Sequence, residues 1–323
     1  MRDMTQLIDW PNIERSDKGL TRAEFLRLAA AASVTLTLGR AHAAAPQPTM
    51  ITRTIPKTGE ALPVVGLSSY RSFSVGGGGE VRSSRREVLR SLFSHGGKVI
   101  DSSPLYGRAE EVLGSLISDL EAEGQAFLSS KIAVEDPARA VQQAERTMRY
   151  LRTEHLDLMQ VQDMLNWRSH FPTLRSWKEN GRIRYLGVTH HSVDGLEQMA
   201  EIIESESIDF VQLAYTISHP EAEERILPLA ADKGVAVIVG RPFLGGADFD
   251  TLRGEPLPEW ASEIDCTSWA QFFLKFILSH PAVTCVTPAT SRQDQMLDNL
   301  GAGSGRLPDD SLRKKMREYW QSR

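Results

Sequence analysis

An α/β protein built as a closed (β/α)8 TIM barrel is what this sequence predicts, on three observations. From Val64 onward short apolar runs alternate with longer amphipathic segments, the pattern of parallel strands that need helical crossovers. Eight such runs can be counted, and a chain of 323 residues leaves room for the roughly 250 that such a barrel uses. No G-x-G-x-x-G follows any of the runs, so the fingerprint of an open dinucleotide-binding sheet is missing.

Taken in order, the segment from Arg53 to Pro63 has the alternation and the Gly59 turn of a two-stranded hairpin, expected to cap the bottom of the barrel. The eight barrel strands are expected at residues 64–67, 98–101, 127–131, 156–161, 183–188, 210–213, 235–239 and 284–286. Helices are expected between them, among others at 85–94, 110–118, 137–151 with Pro137 in its first turn, and 222–233. The run Gly76-Gly77-Gly78-Gly79 follows no strand at the right distance and reads as a flexible loop.

The chain divides into an extension, residues 1–43, and a barrel domain, 44–323. Residues 28–38 are a run of Ala, Leu, Val, Ser and Thr preceded by Arg22 and Arg27, too short to span a bilayer. Ala41-His42-Ala43 has the small-x-small spacing a signal peptidase accepts, which predicts cleavage after Ala43. The segment from Arg22 to Arg27 resembles a twin-arginine export signal with Ala23 in place of the second arginine. Export to the periplasm is the expectation, with a cytoplasmic amphipathic or disordered tail as the alternative.

Composition narrows the function classes. The net charge of −5 is small, and Lys and Arg are spread along the chain, so nucleic acid is not an expected partner. Cys266 and Cys285 are the only cysteines, too few for a disulfide framework or a thiolate metal site. His190 and His191 are adjacent, and in an extended segment they would point to opposite faces, so no metal site is expected. Oligomeric state is not legible.

The reactive groups sit where a barrel would place them. Asp101, Lys131 and Gln162 each end an expected strand, and Tyr106 follows Asp101 on the loop of Val99-Ile100-Asp101-Ser102-Ser103-Pro104-Leu105-Tyr106-Gly107. A phenol near pKa 10 donates a proton poorly unless its conjugate base is stabilised. A buried Lys131 beside Tyr106 would supply that, with Asp101 holding the lysine as a cation.

This order and spacing of Asp, Tyr and Lys resembles the active site of the aldo/keto reductase family, and the resemblance runs from about Arg53 to Met316. The family places a His at the end of the next strand, where this chain reads Asp157-Leu158-Met159-Gln160-Val161-Gln162. The resemblance implies NADPH-dependent reduction of an aldehyde or ketone, with Tyr106 as acid and Gln162 as a neutral donor to the carbonyl. A nicotinamide-binding redox sensor or accessory protein with little turnover is the alternative.

The same resemblance implies the cofactor contacts. Thr189, His190 and Gln212 would hold the nicotinamide carboxamide, and Tyr215 would stack on its ring. Ser68 and Ser69, beside Tyr70, would approach the cofactor, and the loop Arg241-Pro242-Phe243-Leu244-Gly245 would fold over the pyrophosphate. Thr290, Arg292 and Gln295 would take the 2′-phosphate side, and Asp298 and Asn299 the adenine, at a helix N-terminus suited to an anion. An arginine there favours NADPH over NADH. Trp167 and Trp269 are further pocket candidates, and the substrate is a small carbonyl compound.

Overall fold

The hairpin comes first: β1 (Thr52–Thr54) and β2 (Ala61–Pro63) pair antiparallel, Arg53 opposite Leu62. The barrel follows as β3 (Leu67–Ser68), β4 (Val99–Asp101), β5 (Phe127–Ile132), β6 (Leu156–Gln162), β7 (Ile183–Thr189), β8 (Phe210–Ala214), β9 (Ala236–Gly240) and β10 (Val283–Thr287). The coordinates are a computed structural model that describes residues 49–323 apart from positions 77 and 253. The export segment and the boundary expected after residue 43 lie outside the described residues.

Each barrel strand pairs parallel with its sequence neighbour, in the order β3 to β10. Closure is made by backbone bonds between the ends of the sheet: Gly66 N to Val286 O at 2.9 Å, Val286 N to Val64 O at 2.8 Å and Ser68 N to Pro288 O at 3.0 Å. The expected strand at 64–67 shrinks to two residues plus these isolated bridges. At Gly66 the neighbouring strand comes too near for a side chain, since a Cβ would stand 2.6 Å from Val99 O.

Helices cover the outside: α1 (Gly79–Ser94), α2 (Ala109–Asp119), α3 (Pro137–Leu151), α4 (Trp167–Glu179), α5 (Leu196–Ser205), α6 (Ile226–Lys233), α7 (Ala247–Leu252), α8 (Trp269–Ser279), α9 (Gln293–Gly301) and α10 (Asp310–Gln321). Asp136 caps α3 by accepting from Arg139 N at 2.8 Å, with Pro137 at the first helical position. The helix expected at 222–233 starts only at Ile226. Pro228 lacks an N–H and is tolerated only in a first turn, so the residues before it form a separate 3-10 turn at Glu221–Glu223. Among the described residues, no helix is long and apolar enough to cross a membrane.

Strand alternation sorts the side chains. Outward residues such as Leu128, Met159, Val188, Val211 and Val239 pack under the helices in one large core. Inward residues Val99, Phe127, Leu158, Tyr185, Phe210, Ala236, Ile238 and Cys285 form a second cluster, closed from below by Ile55 and Leu62 of the hairpin. Each such side chain contributes about 1.5–3 kcal/mol on burial. One step up on the same inward face the residues turn polar: Asp101, Ser129, Lys131, Gln160, Gln162, Thr189 and Gln212. The hairpin therefore plugs an apolar floor, and the polar layer faces the other end.

Candidate active site

Lys131 and Asp101 meet at the centre of the polar layer. β4 and β5 pair with Asp101 opposite Ser129, which sets Lys131 one inward step beyond. The Lys131 Nζ donates to Asp101 Oδ1 at 2.6 Å and to Ser102 O at 2.7 Å, with the two side chains 2% exposed. Ser129 Oγ donates a second bond to the same carboxylate oxygen, at 3.0 Å. A buried ion pair of this kind is weak evidence for stability, because desolvation offsets most of the attraction. It is better explained as a device that keeps a cation at this depth.

Tyr106 lies over this pair on the β4–α2 loop, half-buried, with Lys131 Nζ 5.7 Å from its ring centroid and the Tyr70 ring edge-on at 5.1 Å. The phenol's pKa is pushed above its ordinary value by burial first and then by the Asp101 charge, while Arg241 pulls the other way. The expectation that Lys131 lowers it is not met. Two of the three N–H groups of the Lys131 ammonium go to Asp101 and Ser102, and burial together with the Asp101 charge holds the proton on the phenol.

Gln162 ends β6 opposite Thr189 of β7, and Thr189 in turn stands opposite Gln212 of β8, so three inward polar groups line one arc of the mouth. Gln162 Oε1 accepts from Ser103 Oγ at 2.9 Å. Beneath it, Gln160 Nε2 bridges Ser129 Oγ at 3.2 Å and Gln212 Oε1 at 3.0 Å, while Gln160 Oε1 is buried with no protein partner. Leaving an acceptor unpaired costs about 1–3 kcal/mol.

The expected cofactor residues divide. Thr189 and Gln212 face the mouth, and beside the Gln212 amide β9 ends in Gly240, where a Cβ would stand 3.4 Å from Gln212 Nε2. His190 is held by the Ser192 backbone through Nδ1, 2.9 Å from Ser192 O, and backed by Gly195, leaving Nε2 for a ligand. The Arg241 to Gly245 loop reaches over this segment, Arg241 Nη1 donating to His191 O at 3.3 Å, and Gly245 takes φ +75° with open space around it. Thr290, Arg292 and Gln295 gather at the start of α9: Thr290 Oγ1 accepts from Arg292 N at 3.2 Å and donates to Gln295 Oε1 at 2.6 Å.

Four expectations need correction. Tyr215 is one residue beyond β8 on the outward parity, fully buried against Phe276 and His280, with its hydroxyl between Glu223 and Arg313. It cannot stack on a ring at the mouth. Asp298 accepts from Ser268 Oγ at 2.7 Å and Gln271 Nε2 at 2.8 Å, so it braces the start of α8 instead of facing an adenine. Ser69 is sealed behind the site, donating to Ser102 Oγ at 2.8 Å. The His190 and His191 rings do not diverge, because the chain bends after β7 and stacks them at 5.1 Å with 19° between planes. Asp163 joins them, 2.9 Å from His191 Nδ1, in a cluster whose ligand atoms lie within 4.8 Å of one another. Stacked parallel rings do not converge on one ion as metal-bound imidazoles do.

Of the remaining expected residues, Ser68 and Asn299 are buried, and Pro242 to Leu244 form the turn before α7. Trp167 packs on Phe171 beneath its own helix, and Trp269 stacks on Phe273. Ser103, Gln160 and Asp163 were not singled out from the sequence. Gln160 could have been, since it stands two residues before Gln162 on the same face of the strand. Two open surface depressions, of ≈ 760 and ≈ 670 Å³, lie far from these groups, around Arg149–Arg182 and Glu60–Tyr185, and hold no convergent reactive set.

The family model described as the aldo/keto reductase family matches residues 72–317. This chain belongs to the aldo/keto reductase family. It is 25% identical over 226 residues to the aldo-keto reductase YhdN of Bacillus subtilis, covering 65% of this chain and 66% of that one. It is 27% identical over 152 residues to D-arabinose 1-dehydrogenase of Saccharomyces cerevisiae, covering 41% and 44% respectively. The matches therefore span about two thirds and less than half of those relatives. Among solved structures, an aldo-keto reductase from Klebsiella pneumoniae in complex with NADPH superposes with a TM-score of 0.67 at 19% identity, covering 84% of this chain and 96% of that one. The holo form of an aldo-keto reductase from Bacillus halodurans gives 0.66 at 20% identity, with the same coverage. These likenesses establish the barrel of the family.

Proposed function

We propose that this aldo/keto reductase reduces an aldehyde or ketone to the alcohol with NADPH. The observation that carries the reading is the convergence of Tyr106, the Lys131–Asp101 pair and Gln162 on one end of the barrel, beside Thr189, His190 and Gln212. The dinucleotide, when bound, supplies a hydride to the carbonyl carbon. The chain's part is to hold the carbonyl oxygen between the Tyr106 hydroxyl and the Gln162 amide, and to pass the phenolic proton to that oxygen as negative charge develops. The Lys131–Asp101 pair lies beneath the ring, with the ammonium 5.7 Å from its centroid.

NADPH preference is supported by the group at the start of α9, where the Arg292 side chain is exposed and Thr290 and Gln295 are adjacent. Asp294 already pairs with Arg292, donor Nε to Oδ1 at 3.0 Å, and would compete with a phosphate. Titrating the purified chain with NADPH and NADH by protein fluorescence, then following NADPH oxidation with a panel of aldehydes, quinones and ketones, tests both claims. Tighter NADPH binding and turnover of at least one carbonyl are expected. Equal affinities would remove the 2′-phosphate assignment, and binding without turnover on any carbonyl would favour the sensor reading.

Export of the mature chain is proposed from residues 28–38 and Ala41-His42-Ala43. Mass spectrometry of protein from its native host is expected to find an N-terminus at Ala44. An intact Met1 on the bulk protein would end that proposal.

A further inference from the structure

Gln162 offers a neutral amide at the mouth, and an amide helps a carbonyl substrate only if its N–H₂ end faces the substrate oxygen. Rotated half a turn about its terminal bond, the same side chain would present Oε1 and repel that oxygen. Nothing in the residue type selects between the two.

Ser103 selects. Its side chain is fully buried, so its hydroxyl proton must find an acceptor inside the protein. The hydroxyl oxygen accepts from Leu105 N at 3.2 Å, and Gln162 Oε1, at 2.9 Å, takes the proton. With the amide turned over, that proton would meet an NH₂ group, which accepts nothing. Burial of the serine hydroxyl therefore fixes which end of the glutamine is held and which is free. The same residue's carbonyl oxygen accepts from Tyr106 N at 3.0 Å, so one serine ties together the acid's loop and the amide.

We propose that Ser103 is a positioning residue for carbonyl reduction, holding Gln162 with Nε2 toward the substrate oxygen so that amide and phenol converge on it as two donors. The proposal rests on the reduction reading given above. It makes the neutral amide part of a built pair, Ser103 with Gln162, in place of one ionisable side chain.

The test is a cycle of Ser103→Ala on the Gln162 and the Gln162→His backgrounds, with the best carbonyl found in the panel and with NADPH affinity measured alongside. On Gln162, Ser103→Ala is expected to lower kcat/KM about tenfold at unchanged NADPH affinity. On Gln162→His, where no amide remains to be oriented, it is expected to change kcat/KM by less than about twofold. An equal loss on both backgrounds would mean that Ser103 acts only through the loop it holds at Leu105, and would overturn the proposal; so would no loss on Gln162. A readout free of turnover separates this from failure of the reduction reading. In ¹⁵N-labelled protein the Gln162 side-chain amide, assigned by its disappearance in Gln162→His, is expected to shift in Ser103→Ala. If it does not move, Ser103 does not position it, whatever the enzyme reduces.

Discussion

At Tyr106 two demands oppose each other: the phenol must keep its proton until a carbonyl is in place, and must then release it. Burial and Asp101 hold the proton by raising the phenol's pKa above the ordinary value near 10. An acid with a raised pKa stays in its active form to higher pH, so the alkaline limb of reduction moves up, not down. Gln162 does not titrate and adds no limb. The kcat/KM for carbonyl reduction is therefore expected to be flat from about pH 6 to about pH 9. A pH–rate profile that falls with a midpoint near 8 would contradict the assignment of the acid. The family resemblance implies a His where Gln162 stands, and if that His acts through its charge, a neutral amide there would cost on the order of 1.4–3 kcal/mol, about ten- to a hundredfold in rate. Gln162→His is thus expected to leave turnover unchanged or raise it.

Among the elements, the loops at the strand ends carry the strain. After β6, Asp163, Met164 and Asn166 all take positive φ, at 50°, 52° and 46°, and Arg241 does so after β9 at 50°. Non-glycine residues in that region cost of order 1 kcal/mol or more each, and they cluster where a site must be shaped. At the far side, α8 and α9 are locked by Asp298, which accepts from Ser268 Oγ and Gln271 Nε2 at the N-terminus of α8. Asp298→Ala is expected to cost about 1 kcal/mol, a Tm decrease of about 2 °C, while NADPH affinity changes less than about twofold. A tenfold loss of NADPH affinity at unchanged Tm would restore the adenine contact that the family resemblance implied.

For the whole molecule, the barrel was legible because strand alternation and helical crossovers are properties of runs of residues, and small boundary errors do not alter them. The proximity of Asp101, Tyr106 and Lys131 was legible because Asp101 ends β4 and Lys131 stands one residue before the end of β5. Tyr215 was not, since it stands just past the end of β8, where one step of alternation decides between mouth and core. The Ser103–Gln162 bond joins residues 59 positions apart, and no local pattern announces it. The His190–His191 stack depends on a bend after β7 that an extended reading misses. The central claim is that the proton comes from Tyr106, and single-turnover reduction by Tyr106→Phe, with NADPH affinity measured on the same variant, tests it most directly. Reduction about a hundredfold slower or more with NADPH binding nearly intact is expected; full reductase activity of Tyr106→Phe would contradict it.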